Sequence, residues 1–131
     1  MSTRAEIIYV DDDNKAHMVY CHYDGYPSYV GKILKKCYTD EKLLKQLTSY
    51  GHMSSLGETI EQCEFYRRDL HEPYRATKQK IFEFNPNNIS KYVGDDIDYT
   101  YVWKNHCWHL YHFGRKNLKK LTDKMCETMT H

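Results

Sequence analysis

Two stretches of this 131-residue chain carry side chains whose types and spacing suit chemistry on a ligand. The first is His22-Tyr23-Asp24-Gly25-Tyr26, which stands between an apolar run and Pro27. Asp-Gly favours a tight turn and proline suits a first helical turn, so the stretch joins a strand end to a helix N-terminus. Free N–H groups and the helix dipole there can hold an anion, with two tyrosines and a histidine offering stacking faces and donors. Asp24 opposes a phosphate unless it bonds a ribose hydroxyl or caps the helix. Without a ligand, the same residues form a tight turn whose Asp24 side chain holds local N–H groups. The second stretch is Arg67-Arg68, followed by Arg75, Lys78 and Lys80, with Tyr66 and Tyr74 close by. Arginines among aromatics suit phosphate pairing and base stacking. Glu64, Asp69 and Glu72 lie among them, so a mutually compensating surface is the competing reading. The ligand-binding candidates are therefore His22, Tyr23, Asp24, Gly25, Tyr26, Arg67, Arg68 and Tyr74.

Other chemistries find less support. Cys107, His109 and His112 cluster, and Cys21-His22 can be imagined approaching them across a sheet. Their spacing matches no common zinc pattern, and strand alternation sets His112 on the opposite face from Cys107 and His109, so no metal is expected. His22 and Asp24 can be posed as an acid–base pair with Cys21 or Ser28 as nucleophile. No third orienting group or oxyanion donor accompanies them, and no catalytic residue is assigned. Phosphate loops of the G-x-x-x-x-G-K-[ST] and G-x-G-x-x-G types are absent, and no cofactor is expected.

The elements that must position these residues follow from the pattern. Glu6-Ile7-Ile8-Tyr9-Val10, a polar cluster from Asp11 to Lys15, and Ala16-His17-Met18-Val19-Tyr20-Cys21-His22 predict a first hairpin. Val30, Ile33, Leu34, Cys37 and Tyr38 fall on one helical face. Thr39 or Asp40 caps a second helix carrying Leu43, Leu44, Leu47 and Tyr50, closed by Gly51. Gln62-Cys63-Glu64-Phe65-Tyr66-Arg67 and Gln79-Lys80-Ile81-Phe82-Glu83-Phe84 are strand candidates, and Asn85-Pro86 opens a short helix with Ile89, Tyr92 and Val93. Tyr99, Tyr101 and Trp103 alternate with Thr100 and Val102. A two-residue turn at Asn105-His106 sets Trp103 opposite Trp108 and Tyr101 opposite Leu110, and these four are expected to make the sheet's core face. Leu118, Leu121 and Met125 predict a short C-terminal helix with a frayed end. The expected fold is one α+β domain over 1–131: a mainly antiparallel sheet of four to six strands, with two adjacent helices packed on one face.

The run Tyr20-Cys21-His22-Tyr23-Asp24-Gly25-Tyr26-Pro27, followed by Val30-Gly31, resembles the "CHWDGYP…VG" signature of a family of small uncharacterised bacteriophage and bacterial proteins. Ser2-Thr3-Arg4, Ser54-Ser55-Leu56-Gly57, Phe65-Tyr66-Arg67-Arg68-Asp69 with Glu72-Pro73-Tyr74, and the terminal hairpin also resemble the family pattern. Tyr23 stands where tryptophan is usual, and Leu70-His71 where a more Arg/Gly-like pair is usual. The resemblance implies a phage or mobile-element origin and no particular enzymatic activity. By analogy, it points to action against host defences, through a host protein or a trapped nucleotide signal.

Composition narrows the partners. A net charge of +1 gives no general pull toward nucleic acid or an anionic membrane, so neither is expected. Five widely spaced cysteines, an odd number, read as reduced thiols of a cytoplasmic protein, and no secretion signal or transmembrane run is expected. Thirteen tyrosines, two tryptophans and eight histidines are many for this length, and suit interfaces as well as a tyrosine-rich core. The expected partner is a small nucleotide-like ligand or, alternatively, a host protein blocked by exposed tyrosines and the last hairpin. A homo-oligomer is compatible with a sheet covered by helices on one face only.

Overall fold

The computed structural model describes residues 3–94, 96–112 and 118–129. The frayed end expected after the last helix, and Ser2 of the opening motif, lie outside the described residues. Strands β1 (Ala5–Val10) and β2 (Lys15–Cys21) form the expected first hairpin, with Ile7 opposite Val19 and Val10 opposite Ala16. Its turn closes on Asp11, whose Oδ1 accepts from the N–H groups of Asp13 and Lys15 at 2.9 Å. The remaining strands are β3 (Met53–Ser55), β4 (Glu64–Phe65), β5 (Lys80–Glu83), β6 (Tyr99–Lys104), β7 (Cys107–His112) and β8 (Lys119–Lys120). They assemble in the order β4-β3-β2-β1-β6-β7-β8, with β5 also paired to β2. Pairs β1–β6 and β2–β3 run parallel and the others antiparallel.

The sheet is thus mainly antiparallel as expected, but it has eight strands rather than four to six. The added ones are β3 and β8, of three and two residues. Neither is long enough to display a two-residue period.

A wide π-type turn, Pro27–Gly31, runs into α1 (Lys32–Cys37). Helix α2 (Glu41–Ser49) begins at Asp40, whose side chain accepts from the Lys42 N–H at 3.1 Å. Two further short helices, α3 (Tyr74–Thr77) and α4 (Asp123–Thr128), bring the total to four α-helices among the described residues. Val30, Leu34 and Tyr38 from the first helical run, and Leu44 and Leu47 from α2, pack over Ala5, Ile7, Tyr9, Val19, Cys21, Tyr101 and Trp103. These strand residues alternate along the chain, so they share the first face of the sheet. The terminal hairpin has the expected register, Trp103 opposite Trp108 and Tyr101 opposite Leu110. All four are buried in this core, and the Trp108 indole donates to the Tyr38 carbonyl at 2.9 Å. The four therefore make the core face of the sheet, as their alternation predicts.

The second face divides in two. Ile8, Val10, Ala16, Met18, Val102 and Tyr111 form an apolar half. Phe84, Ile89, Tyr92 and Val93, carried past β5 on a 3-10 turn (Pro86–Lys91), lie against it. Asn85 starts that turn as expected, its side chain accepting from the Asn87 N–H at 3.0 Å. The chain itself thus covers this apolar half, rather than leaving it to a second copy.

Candidate functional site

The other half of the second face is polar, and strand parity makes it so. Cys21, Met53 and Phe65 are register partners across β2, β3 and β4, and all three point into the first core. Their chain neighbours Tyr20, His22, His52, Ser54, Glu64 and Tyr66 therefore face the other way. These groups hold one another. The Tyr20 hydroxyl and His22 Nδ1 are 2.6 Å apart, and the His22 ring meets Tyr23 edge-on at 4.5 Å between centroids. Tyr20 and His52 meet edge-on at 6.4 Å, and Ser54 Oγ donates to Glu64 Oε1 at 2.7 Å. Burial pushes the Tyr66 hydroxyl up to about 12, with Tyr20, Glu72 and Tyr23 adding to the effect, so it is a protonated donor near neutral pH.

His52 is held with particular firmness. Gly51, just past α2, adopts φ +87° and leaves no room for a Cβ against the Thr77 carbonyl, which accepts the His52 N–H at 2.7 Å. On the ring side, Nδ1 accepts from the Tyr20 backbone N–H at 3.0 Å. Nδ1 is therefore unprotonated, and the neutral ring carries its proton on Nε2. Burial, then the charge of Lys80, lowers the pKa of this imidazole, which keeps it neutral. Such a ring can give a hydrogen bond from Nε2 but cannot take a proton there. It suits holding an acceptor better than acting as a base.

Beside His52 the edge of β2 away from β1 passes from its partner β3 to its partner β5, and there a cleft of about 550 Å³ opens. His52, Tyr74, Arg75, Lys78, Lys80 and Ile81 line it. The Arg67 guanidinium lies over the Tyr74 ring at 4.8 Å and donates to the Ser49 carbonyl at 2.9 Å.

The sequence candidates are thus divided. His22 and Tyr23 stand on the polar half, and Arg67 and Tyr74 stand at the cleft that His52 joins to it. Asp24 is exposed at φ +57° and accepts from the Tyr26 hydroxyl at 3.4 Å. Gly25 is buried: its N–H reaches the Thr3 carbonyl at 2.8 Å, its carbonyl accepts from the Tyr101 hydroxyl at 2.6 Å, and a Cβ would meet that of Ala5 at 2.8 Å. Tyr26 packs against the first core. The N–H groups expected to be free after this loop are partly taken, Ser28 by the Met129 carbonyl and Tyr29 by the Tyr26 carbonyl, both at 3.0 Å. Arg68 is an internal strap. Its guanidinium bonds Asp69 at 2.9 Å and the carbonyls of Ile60, Glu61 and Cys63 at 3.1, 3.4 and 2.8 Å, lying over the Phe65 ring.

His52 escaped the sequence reading because β3 did, and Tyr20 stood within a motif noted for its loop rather than its strand. Among the described residues, no three His, Cys, Asp or Glu side chains group as metal ligands, and no helix is long and apolar enough to cross a membrane. Compared with known proteins, the chain matches no family model, no curated protein and no solved structure.

Proposed function

We propose that this chain is a non-enzymatic binding protein that captures a small nucleotide-like ligand on the polar half of the second sheet face. The observation that carries the reading is the run of aromatic rings from Tyr23 through His22 and Tyr20 to His52, with Tyr66 beside them and the Arg67–Tyr74 pair across the adjoining cleft. Rings half open to solvent stack on bases, and neighbouring cations pair with phosphate. Tyr23 and Tyr74 are 50% and 60% exposed, which leaves their faces within reach of a ligand. The resemblance to phage proteins supports a role in trapping a host nucleotide signal within the host cytoplasm, against a defence.

Calorimetric titration with cyclic and linear nucleotides tests this. Binding is expected for at least one member, and Tyr23→Ala is expected to weaken it by about tenfold, from the loss of one stacking contact of roughly 1–3 kcal/mol. A folded protein that takes up no heat with any nucleotide overturns the reading. A second reading, inhibition of a host protein, draws on the exposed Leu70 and on the exposed Tyr74 and Ile81, which line the same cleft. It predicts a host protein co-purifying in defined stoichiometry, with no small molecule released on denaturation.

A further inference from the structure

We infer that the cleft between β3 and β5 is an anion subsite built for a terminal phosphate group, of the phosphomonoester or pyrophosphate class. The inference deepens the ligand reading above, on which it rests for the remainder of the ligand, and it uses residues of its own.

Charge is the first ground. Arg75, Lys78 and Lys80 line one concavity, and no carboxylate among the described residues lines it. Some basic side chains elsewhere are held in ion pairs, among them Lys35 with Asp123 at 2.6 Å, Lys36 with Glu58 at 3.3 Å, Arg4 with Asp96 at 3.1 Å and Arg68 with Asp69 at 2.9 Å. Among the described residues, none of the three cleft cations has an ion pair, and Lys80 acts on the buried Glu6 only through its charge. In a chain of net charge +1, such a local excess without compensation marks a place for an anion.

Donor type is the second ground. With Nδ1 fixed on the Tyr20 N–H, His52 presents only a hydrogen-bond donor, and its Nε2 has no partner among the described residues. Every charged or ring donor on the cleft wall therefore seeks an acceptor, and a metal cation or an amine is excluded by the same groups. Three cations together with an imidazole N–H suit the nearly doubled negative charge of a terminal phosphate better than the single charge of a phosphodiester. A terminal phosphate offers three oxygens. The Tyr74 ring, backed by Arg67 on one face, sets a stacking surface at the edge of this cluster. The volume of about 550 Å³ falls within the range of small-molecule sites, about 300–1,000 Å³.

The test titrates the full chain with pyrophosphate, adenosine 5′-monophosphate, 3′,5′-cyclic adenosine monophosphate and adenosine, while following the histidine ¹⁵N signals. Expected are binding of pyrophosphate and the monophosphate in preference to the cyclic diester, a shift of the His52 Nε2 signal, and about tenfold weaker binding in Lys78→Gln and Lys80→Gln. Both lysines are exposed, so unchanged thermal unfolding is expected to confirm that the variants fold. Nucleotide binding that ignores both substitutions and leaves His52 unmoved overturns the subsite while leaving the ligand reading intact. Pyrophosphate binding lost in the lysine variants, with no nucleotide bound more tightly than pyrophosphate, supports the subsite and removes the nucleotide reading. Silence toward every compound overturns both.

Discussion

The two halves of the second sheet face meet on strands β1 and β2, and along those strands they differ in which residues stand there. On β1 and β2, Ile8, Val10, Ala16 and Met18 make one half apolar, and the chain carries Phe84, Ile89 and Val93 across to cover it. A few residues along those strands, Glu6, Tyr20 and His22 occupy the same face, where Tyr20 pairs with His22 and Glu6 accepts from the Gly94 N–H. Apolar surface gains free energy when it leaves water; satisfied polar groups gain little from being covered. Burial thereby stabilises the covered half, and the proposed ligand site falls on the open one.

Truncation gives the sharpest contrast. Phe84 is 3% exposed at the centre of the cover, and Phe84→Ala is expected to cost about 3–4 kcal/mol in urea unfolding. Tyr23→Ala, at a ring half open to solvent, is expected to stay within about 0.5 kcal/mol while impairing ligand binding. Equal losses at the two positions would break the contrast.

Adjacent arginines repeat the lesson on a smaller scale. Arg68 satisfies three carbonyls and Asp69, so Arg68→Ala leaves acceptors unpaired around residues 60–63 and is expected to cost about 2 kcal/mol. Arg67→Ala removes one carbonyl bond and a cation over Tyr74, and is expected to cost under about 1 kcal/mol. Chemical denaturation of the two variants side by side checks the ranking, and Arg67→Ala matching Arg68→Ala would deny Arg68 its role as a strap.

No sequence pattern separates these two arginines. Which of them turns inward is decided by the 3-10 turn Ile60–Gln62, whose carbonyls collect at one point only in the folded chain. The legible elements were those long enough to repeat: the β1–β2 hairpin, α2 with its Asp40 cap and Gly51 end, and the β6–β7 hairpin with its tryptophans in register. The strand expected from Gln62 to Arg67 shrinks to Glu64–Phe65, because the 3-10 turn takes its first residue. The helix expected through Val30 has the right apolar face but begins as the wide Pro27–Gly31 turn. For the candidate site, His22, Tyr23, Arg67 and Tyr74 were legible as residue types. His52 was not, since it is aimed by a left-handed glycine and a three-residue strand.

Glu6 stands where the two halves meet, and its protonation measures the boundary. It lies on β1 with Tyr20 opposite on one side and Thr100 on the other, and is 6% exposed. Its Oε1 accepts from the N–H of Gly94, which follows the covering segment, at 3.2 Å. Burial raises its pKa most; the Gly94 N–H and the charge of Lys80 pull it partly back, leaving it at about 7 against an ordinary 4.5. Between those two values the folded state binds the proton and the unfolded state releases it. The group's stabilising contribution is therefore complete below about pH 4.5, declines as the pH rises through 7, and stays lost above that. Gln in its place keeps an acceptor for Gly94 and carries no charge. Glu6→Gln is expected to match the wild type near pH 4.5 and to exceed it by about 2 kcal/mol at pH 8, read from urea unfolding at both values. A variant less stable than the wild type at pH 8 would mean that the carboxylate is favoured where it stands, and that the polar half reaches deeper into the sheet than its buried position implies.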